Sequence, residues 1–344
     1  MITLARRPVA WLALLAASAA VLPAPALASD ADASDARAAA LLNRLRATYQ
    51  EARSLSRGAA TMTNLPPSQM DEEMGTLGLS ELATTVSRAD DGTIEQFHYE
   101  DMTGSLQLSG NSESLIIRQA WWDGQCAGAP WRATDGSRAI FTSVVALQRA
   151  ALEPATFVPT ELMLAIDGSF DVLLGAPVQA ELLPENHEMT QQLSGMTEMS
   201  QAGGATSRLL LTGNNATAAL AMSDETGMLV SAVLEIDLSH LGAFDAPGLR
   251  VWIAQAFTDL GEGDAEQPEA CDRIFPSIGD LHSWNRAYST EKILEAKEML
   301  EPNLQMMKMQ LSTLDENDPR REWGALYVSR MQRQLDEAVS ASQE

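Results

Sequence analysis

Few residues in this chain have the type and spacing for catalysis. Its four histidines are His98, His187, His240 and His282, and its two cysteines are Cys126 and Cys271. No histidine stands at metal-ligand spacing from another histidine, a cysteine or a paired carboxylate, and H-E-x-x-H is absent. His187 and Glu188 are merely adjacent in a polar stretch. The G-x-S-x-G elbow, the phosphate-binding P-loop and G-x-G-x-x-G are absent too, so hydrolase, nucleotide and dinucleotide chemistry lack their signatures. The acidic run Asp71-Glu72-Glu73 reads as solvated loop charge rather than a general acid. The pattern predicts a non-enzymatic protein with no metal and no cofactor.

The two cysteines lie far apart in the chain and belong to no C-x-x-C pair. In an oxidising compartment an even count suits one disulfide, but spacing leaves two separate thiols open as well. The start of the chain points to such a compartment. Arg6 and Arg7 precede a small-apolar run over residues 9–22, and Ala26-Leu27-Ala28 forms a small-x-small cleavage site. Residues 1–28 therefore read as a signal peptide, and the mature protein as exported, periplasmic or secreted, and soluble. No later run approaches the 18 or more apolar residues of a stable membrane span.

Composition narrows the partners. The 344 residues carry 47 acidic and 23 basic side chains, a formal net charge of -24. Nucleic acid and anionic membrane surfaces both require a basic footprint, which this chain lacks. With 45% hydrophobic residues it is long enough for one large domain or two modest ones.

The elements that would position any site follow from periodicity. Residues 36–54 place Leu41, Leu42, Leu45, Tyr49 and Ala52 at helical spacing. Strands are predicted over 59–65, 83–88, 93–99, 104–109 and 113–120, separated by turns rich in Gly, Asn, Asp and Ser. Trp121-Trp122 and Pro130-Trp131 suggest a further strand pair. Short helices are expected near 144–152 and 159–166, then a helix–strand pair over 170–183, and 185–204 reads as a loop or frayed helix. Residues 207–238 form a three-stranded meander. In its last arm Met228, Val230, Ala232, Leu234, Ile236 and Leu238 occupy every second position and form one apolar row. Residues 254–272 mix a short apolar piece with the acidic loop 261–264. From 280 onward the chain reads as helical, with Pro302 kinking it or starting a new helix, and Asn317 or Asp318 capping the last helix.

Strands flanked by helices in this order give an α+β fold, an antiparallel sheet with helices on one face. The predicted organisation is the signal peptide, a sheet domain over 36–245 and a helical C-terminal segment over 280–344. The sheet carries apolar side chains at alternating positions: Phe97 and Tyr99, Leu106 and Leu108, Leu115 and Ile117, with Trp121 nearby. Together with Val230, Leu234 and Ile236 they are the candidate lining of an apolar groove for a lipid or another hydrophobic ligand. The same residues suit a filled core equally well. The alternative function is an interaction module with a packed sheet, whose helical tail binds a partner protein.

The layout also resembles a known family. A leader, a first helix closing on Ala47-Thr48-Tyr49-Gln50-Glu51-Ala52, then many short strands, is similar to the LolA/LolB-like periplasmic lipoprotein carriers and to uncharacterised secreted bacterial proteins of that superfamily. The segment from Met222 through Asp224-Glu225-Thr226-Gly227 to Val230 resembles their closing hairpin. The resemblance covers roughly residues 36–238. It implies a curved, unclosed antiparallel half-barrel covered by helices, whose apolar cavity takes acyl chains. The helical tail departs from that pattern.

Overall fold

The computed structural model describes residues 30–64, 78–101, 105–132, 135–151, 157–261, 271, 273–316 and 318–343. The leader, the acidic run 71–73, most of the loop 261–264 and Asn317 lie outside the described residues.

The sheet has twelve strands: β1 (Ser54–Asn64), β2 (Gly78–Arg88), β3 (Ile94–Asp101), β4 (Leu106–Gly110), β5 (Ser114–Gln119), β6 (Cys126–Pro130), β7 (Gln179–Leu182), β8 (Thr206–Thr212), β9 (Ala216–Ser223), β10 (Leu229–Asp237), β11 (Arg250–Asp259) and β12 (Arg273–Ile274). Their spatial order is β12-β6-β5-β4-β3-β2-β1-β11-β10-β9-β8-β7. Neighbours pair antiparallel except β12 with β6, and the two ends do not meet. Among the described residues eight α-helices accompany it: α1 (Asp30–Glu51), α2 (Gly136–Ala150), α3 (Thr160–Asp167), α4 (Asp171–Leu174), α5 (Met189–Met199), α6 (Ile278–Glu295), α7 (Lys297–Ser312) and α8 (Pro319–Ala341). This is the expected α+β, unclosed sheet with a helical C-terminal segment.

Alternation explains the layers. In β5 Leu115, Ile117 and Gln119 face inward between more exposed neighbours. The inner face receives Leu42, Leu45 and Tyr49 of α1, Ile140, Phe141 and Val144 of α2, and Leu162 to Ile166 of α3, in one apolar core. On the opposite face α5 packs Met189, Leu193 and Met196 against Leu210, Ala219, Val233, Trp252 and Ala254. The sheet is therefore covered on both sides over β8–β11, and its strands there are apolar on both faces.

Several expectations are corrected here. The short apolar piece at 254–259 is the second part of β11, which begins at Arg250 and sits between β1 and β10 in the middle of the sheet. The sheet thus extends past residue 245, and α6 reaches the same core through Leu281. The Trp121-Trp122 segment is a 3-10 turn at Ala120–Trp122, not a strand. The stretch 185–204 contains the ordered helix α5. Pro302 lies inside α7, and the break between α6 and α7 falls at Ala296 instead.

The tail docks through α8. Arg330 donates to the carbonyls of Gln148 at 2.6 Å and Ala151 at 2.8 Å, capping the C-terminal end of α2. Burial, with Arg333 and Arg149 nearby, pulls its pKa down to about 10. Trp323 stacks edge-on to Phe244, and Arg333 reaches Asp245 at 2.7 Å. Cys126 of β6 and Cys271 form a disulfide, with Cα atoms 5.5 Å apart.

Candidate functional site

The candidate lining residues lie on or beside the inner face of the sheet. Its apolar residues fall into two wings. Phe97, Tyr99, Leu106, Leu108, Leu115 and Ile117 occupy β3–β5, and Leu234 and Ile236 lie on β10. All eight belong to the one core shared with α1, α2 and α3. Phe97, Leu108, Leu115, Ile117, Leu234 and Ile236 are 0% exposed, so no water-sized space touches any of them. Phe97 meets Trp131 edge-on at 5.5 Å. The row on β10 meets packed side chains.

Two residues of the expected lining stand elsewhere. A β-bulge falls between Leu229 and Ser231, so the alternation slips by one at Val230. Leu229 joins the inner core in place of Val230, which is buried but in neither face's cluster. Trp121 is half-buried at the core's margin, and Trp122 takes the interior position. The 3-10 turn swings the second indole inward, where its Nε1 donates to Asn285 at 3.0 Å and its ring meets Trp284 at 4.7 Å.

Between the wings runs a buried polar seam that the sequence reading missed. Arg57 of β1 donates through Nε to Glu161 of α3 at 3.0 Å, and Tyr49 of α1 donates to the same carboxylate oxygen. Arg57 also donates to the Leu229 carbonyl, and the Leu229 N–H donates to the Tyr49 hydroxyl at 3.3 Å. The backbone of Leu229, at the edge of the bulge, is thus satisfied by side chains from α1 and β1. One strand over, Gln255 of β11 accepts from Thr160 at 2.8 Å and donates to Thr61 and to the Val158 carbonyl, each at 3.3 Å.

The electrostatics follow from burial. Desolvation pushes the Glu161 carboxyl above its ordinary range, while Arg57 and the Tyr49 hydroxyl pull it back down. Burial and the neighbouring Glu161 together raise Tyr49 well above a normal phenol, which keeps it a neutral donor. Buried charges need partners in this way. The seam clamps α1 and α3 onto the central strands. It has no exposed group for substrate to reach, so its chemistry is structural. The signal was legible: Arg57 is the lone charge in β1, and Glu161 precedes a run of five apolar residues, Leu162 to Ile166.

Each histidine has a polar neighbour within the fold. His240 sits against the Val172 and Leu173 carbonyls at 3.1 and 3.0 Å, and His282 lies 3.2 Å from Ser143 Oγ. His98 faces Glu100 at 3.3 Å, and His187 accepts from the Met189 N–H. Among the described residues no group of three or more His, Cys, Asp or Glu could hold a metal ion, and no helix is long and apolar enough to cross a membrane.

The opposite kind of surface lies on the tail. Helices α7 and α8 bound an open trough of about 1030 Å³, lined by Lys308, Leu311, Arg321, Ala325, Ser329 and Asp336 among others. Met306 and Met309 of α7 are exposed nearby in the chain.

An unclosed antiparallel sheet with helices packed on its inner face is the LolA-like architecture that the sequence resemblance implies. No protein-family model and no curated protein matches the chain. Solved structures do. The chain is similar to a chain in the complex of Pseudomonas aeruginosa MucA and MucB, with 11% identity over 69% of this chain and 63% of that one, TM-score 0.34. It is similar to a DUF1329 family protein from Desulfovibrio piger, with 9% identity over 66% of this chain and 95% of that one, TM-score 0.30. It is similar to the LolA superfamily protein NE2245 from Nitrosomonas europaea, with 10% identity over 66% and 94%, TM-score 0.27. This chain thus spans less than two thirds of the MucA/MucB structure's matched chain. At these identities and TM-scores none of them bears on what the chain does.

Proposed function

We propose that this chain is an exported, non-enzymatic protein-interaction module of the periplasm or cell envelope, with its inner face used as a core and its tail as the contact surface. The observation that carries this reading is the inner row. Leu234, Ile236, Phe97 and Ile117 have no surface that water can touch. An acyl chain would need α1 and α3 to lift away, and the Arg57–Glu161–Tyr49 clamp opposes that movement. The groove reading, with a lipid or lipoprotein acyl chain as ligand, requires that opening. The open trough on α7 and α8 supports a protein partner instead, since it is open to solvent and partly apolar, with Leu311, Ala325 and Val328 in its lining.

Native mass spectrometry and lipid extraction of the purified chain test the reading. The expected mass is that of the polypeptide alone, and a fluorescent fatty acid shows no saturable binding. A stoichiometric acyl ligand, or saturable fatty-acid binding at one site, would overturn it.

A further inference from the structure

The trough lies along one face of α8. Arg321, Ala325, Ser329, Gln332, Asp336 and Ser340 follow one another at three- and four-residue spacing, and Lys308 and Leu311 of α7 form the adjacent wall. Two features of this face constrain what fills it. First, Ala325 and Ser329 are small, so a second helix can approach closely over the middle of the trough. Second, the charges are separated along the helix. Arg321 lies toward the α8 N-terminal end and Asp336 and Glu337 toward the other, while Lys308 reaches Gln332 at 2.9 Å and Arg333 is already paired with Asp245. Among the described residues Arg321 has no ion-pair partner.

That arrangement is its own complement. When α8 is laid antiparallel on a copy of itself, with a two-fold axis between Val328 and Ser329, Arg321 stands opposite Asp336 of the second copy and Ala325 stands opposite its Gln332. The reverse pair forms by symmetry, as an isologous interface demands. A parallel arrangement would set Arg321 against Arg321 and Asp336 against Asp336. We propose that this trough is a homodimer interface, in which α8 of a second copy packs antiparallel against α8 with each Arg321 facing the other copy's Asp336. The contact concentrates scarce positive charge where two copies, each of net charge -24, must approach. The inference deepens the interaction-module reading and rests on it. The acyl-ligand experiment tests that reading separately, so an acyl-free monomer would defeat the dimer alone.

Sedimentation equilibrium on the purified chain, its disulfide intact, is the first test, and wild type is expected to populate a dimer. Arg321→Glu sets like charges against each other and is expected to weaken the dimer by about tenfold or more. Arg321→Glu with Asp336→Arg restores the pairing and the association. Ser329→Cys, next to the axis, crosslinks to itself under mild oxidation, whereas Glu322→Cys, outside the trough, does not. A wild-type chain that stays monomeric at its highest soluble concentration overturns the proposal. So does a double charge swap that fails to restore association, or equal crosslinking from both cysteine positions.

Discussion

Arg57→Met is expected to lower the free energy of unfolding by about 3–5 kcal/mol, measured by urea denaturation at neutral pH. The magnitude comes from what the substitution leaves behind. Glu161 is fully buried, and Arg57 is the cation that faces it. Removing the guanidinium strands a carboxylate in the core and leaves the Leu229 carbonyl without its side-chain donor. Glu161→Leu strands the arginine in the same way and should cost a similar amount. The double variant Arg57→Met with Glu161→Leu should regain much of the loss, because replacing both members of a buried pair by apolar residues is often neutral. The pH dependence has a definite sign. The folded chain holds the Glu161 proton more tightly than the unfolded chain does, because burial raises this carboxyl. Stability contributed here is therefore greatest at low pH and falls as pH rises through the raised pKa. Glu161→Gln removes that part of the slope, so subtracting its profile from that of wild type isolates the effect.

The disulfide carries the second large effect. Cys126 and Cys271 are 145 residues apart in sequence, and the bond closes a loop that contains β6 to β11, half of the sheet's strands. Constraining so long a loop in the unfolded chain is worth about 3–5 kcal/mol. Cys126→Ser with Cys271→Ser should lose that amount in urea denaturation, and wild type in a strong thiol reductant should match the variant. The bond also holds the segment leading into β12 against β6, at the edge of the sheet. Hydrogen exchange in the variant should therefore rise first in β6, β12 and the start of α6. Faster exchange in β9 and β10 before those elements would contradict this placement.

The sequence revealed the parts of the fold that rest on clean alternation, and concealed those that do not. The meander of β8, β9 and β10 was visible because its turns and its period of two coincide. Val230 was misplaced because the bulge between Leu229 and Ser231 shifts the alternation there without changing the apolar pattern. β11 went unread because α5 and the inner helices bury both its faces. Trp252, Ala254 and Ala256 point one way and Ile253 and Phe257 the other, so no alternation survives. α5 did leave a trace, since Met189, Leu193 and Met196 recur at helical spacing, but the Gln, Ser and Gly between them suggested a loop. The apolar row itself was legible. Whether it was lined or filled was not, because that depends on how closely α1, α2 and α3 approach, and an apolar residue suits either state.

Leu234→Ala tests the central claim, that the inner face is a packed core, most directly. In a filled interior the truncation removes contacts on every side and leaves a cavity, so urea denaturation should show a loss of about 2–5 kcal/mol with cooperativity intact. If Leu234 instead lined an open acyl groove, the shortened side chain would merely widen it. A loss below about 0.5 kcal/mol, with unfolding still cooperative, would contradict the packed core and restore the groove.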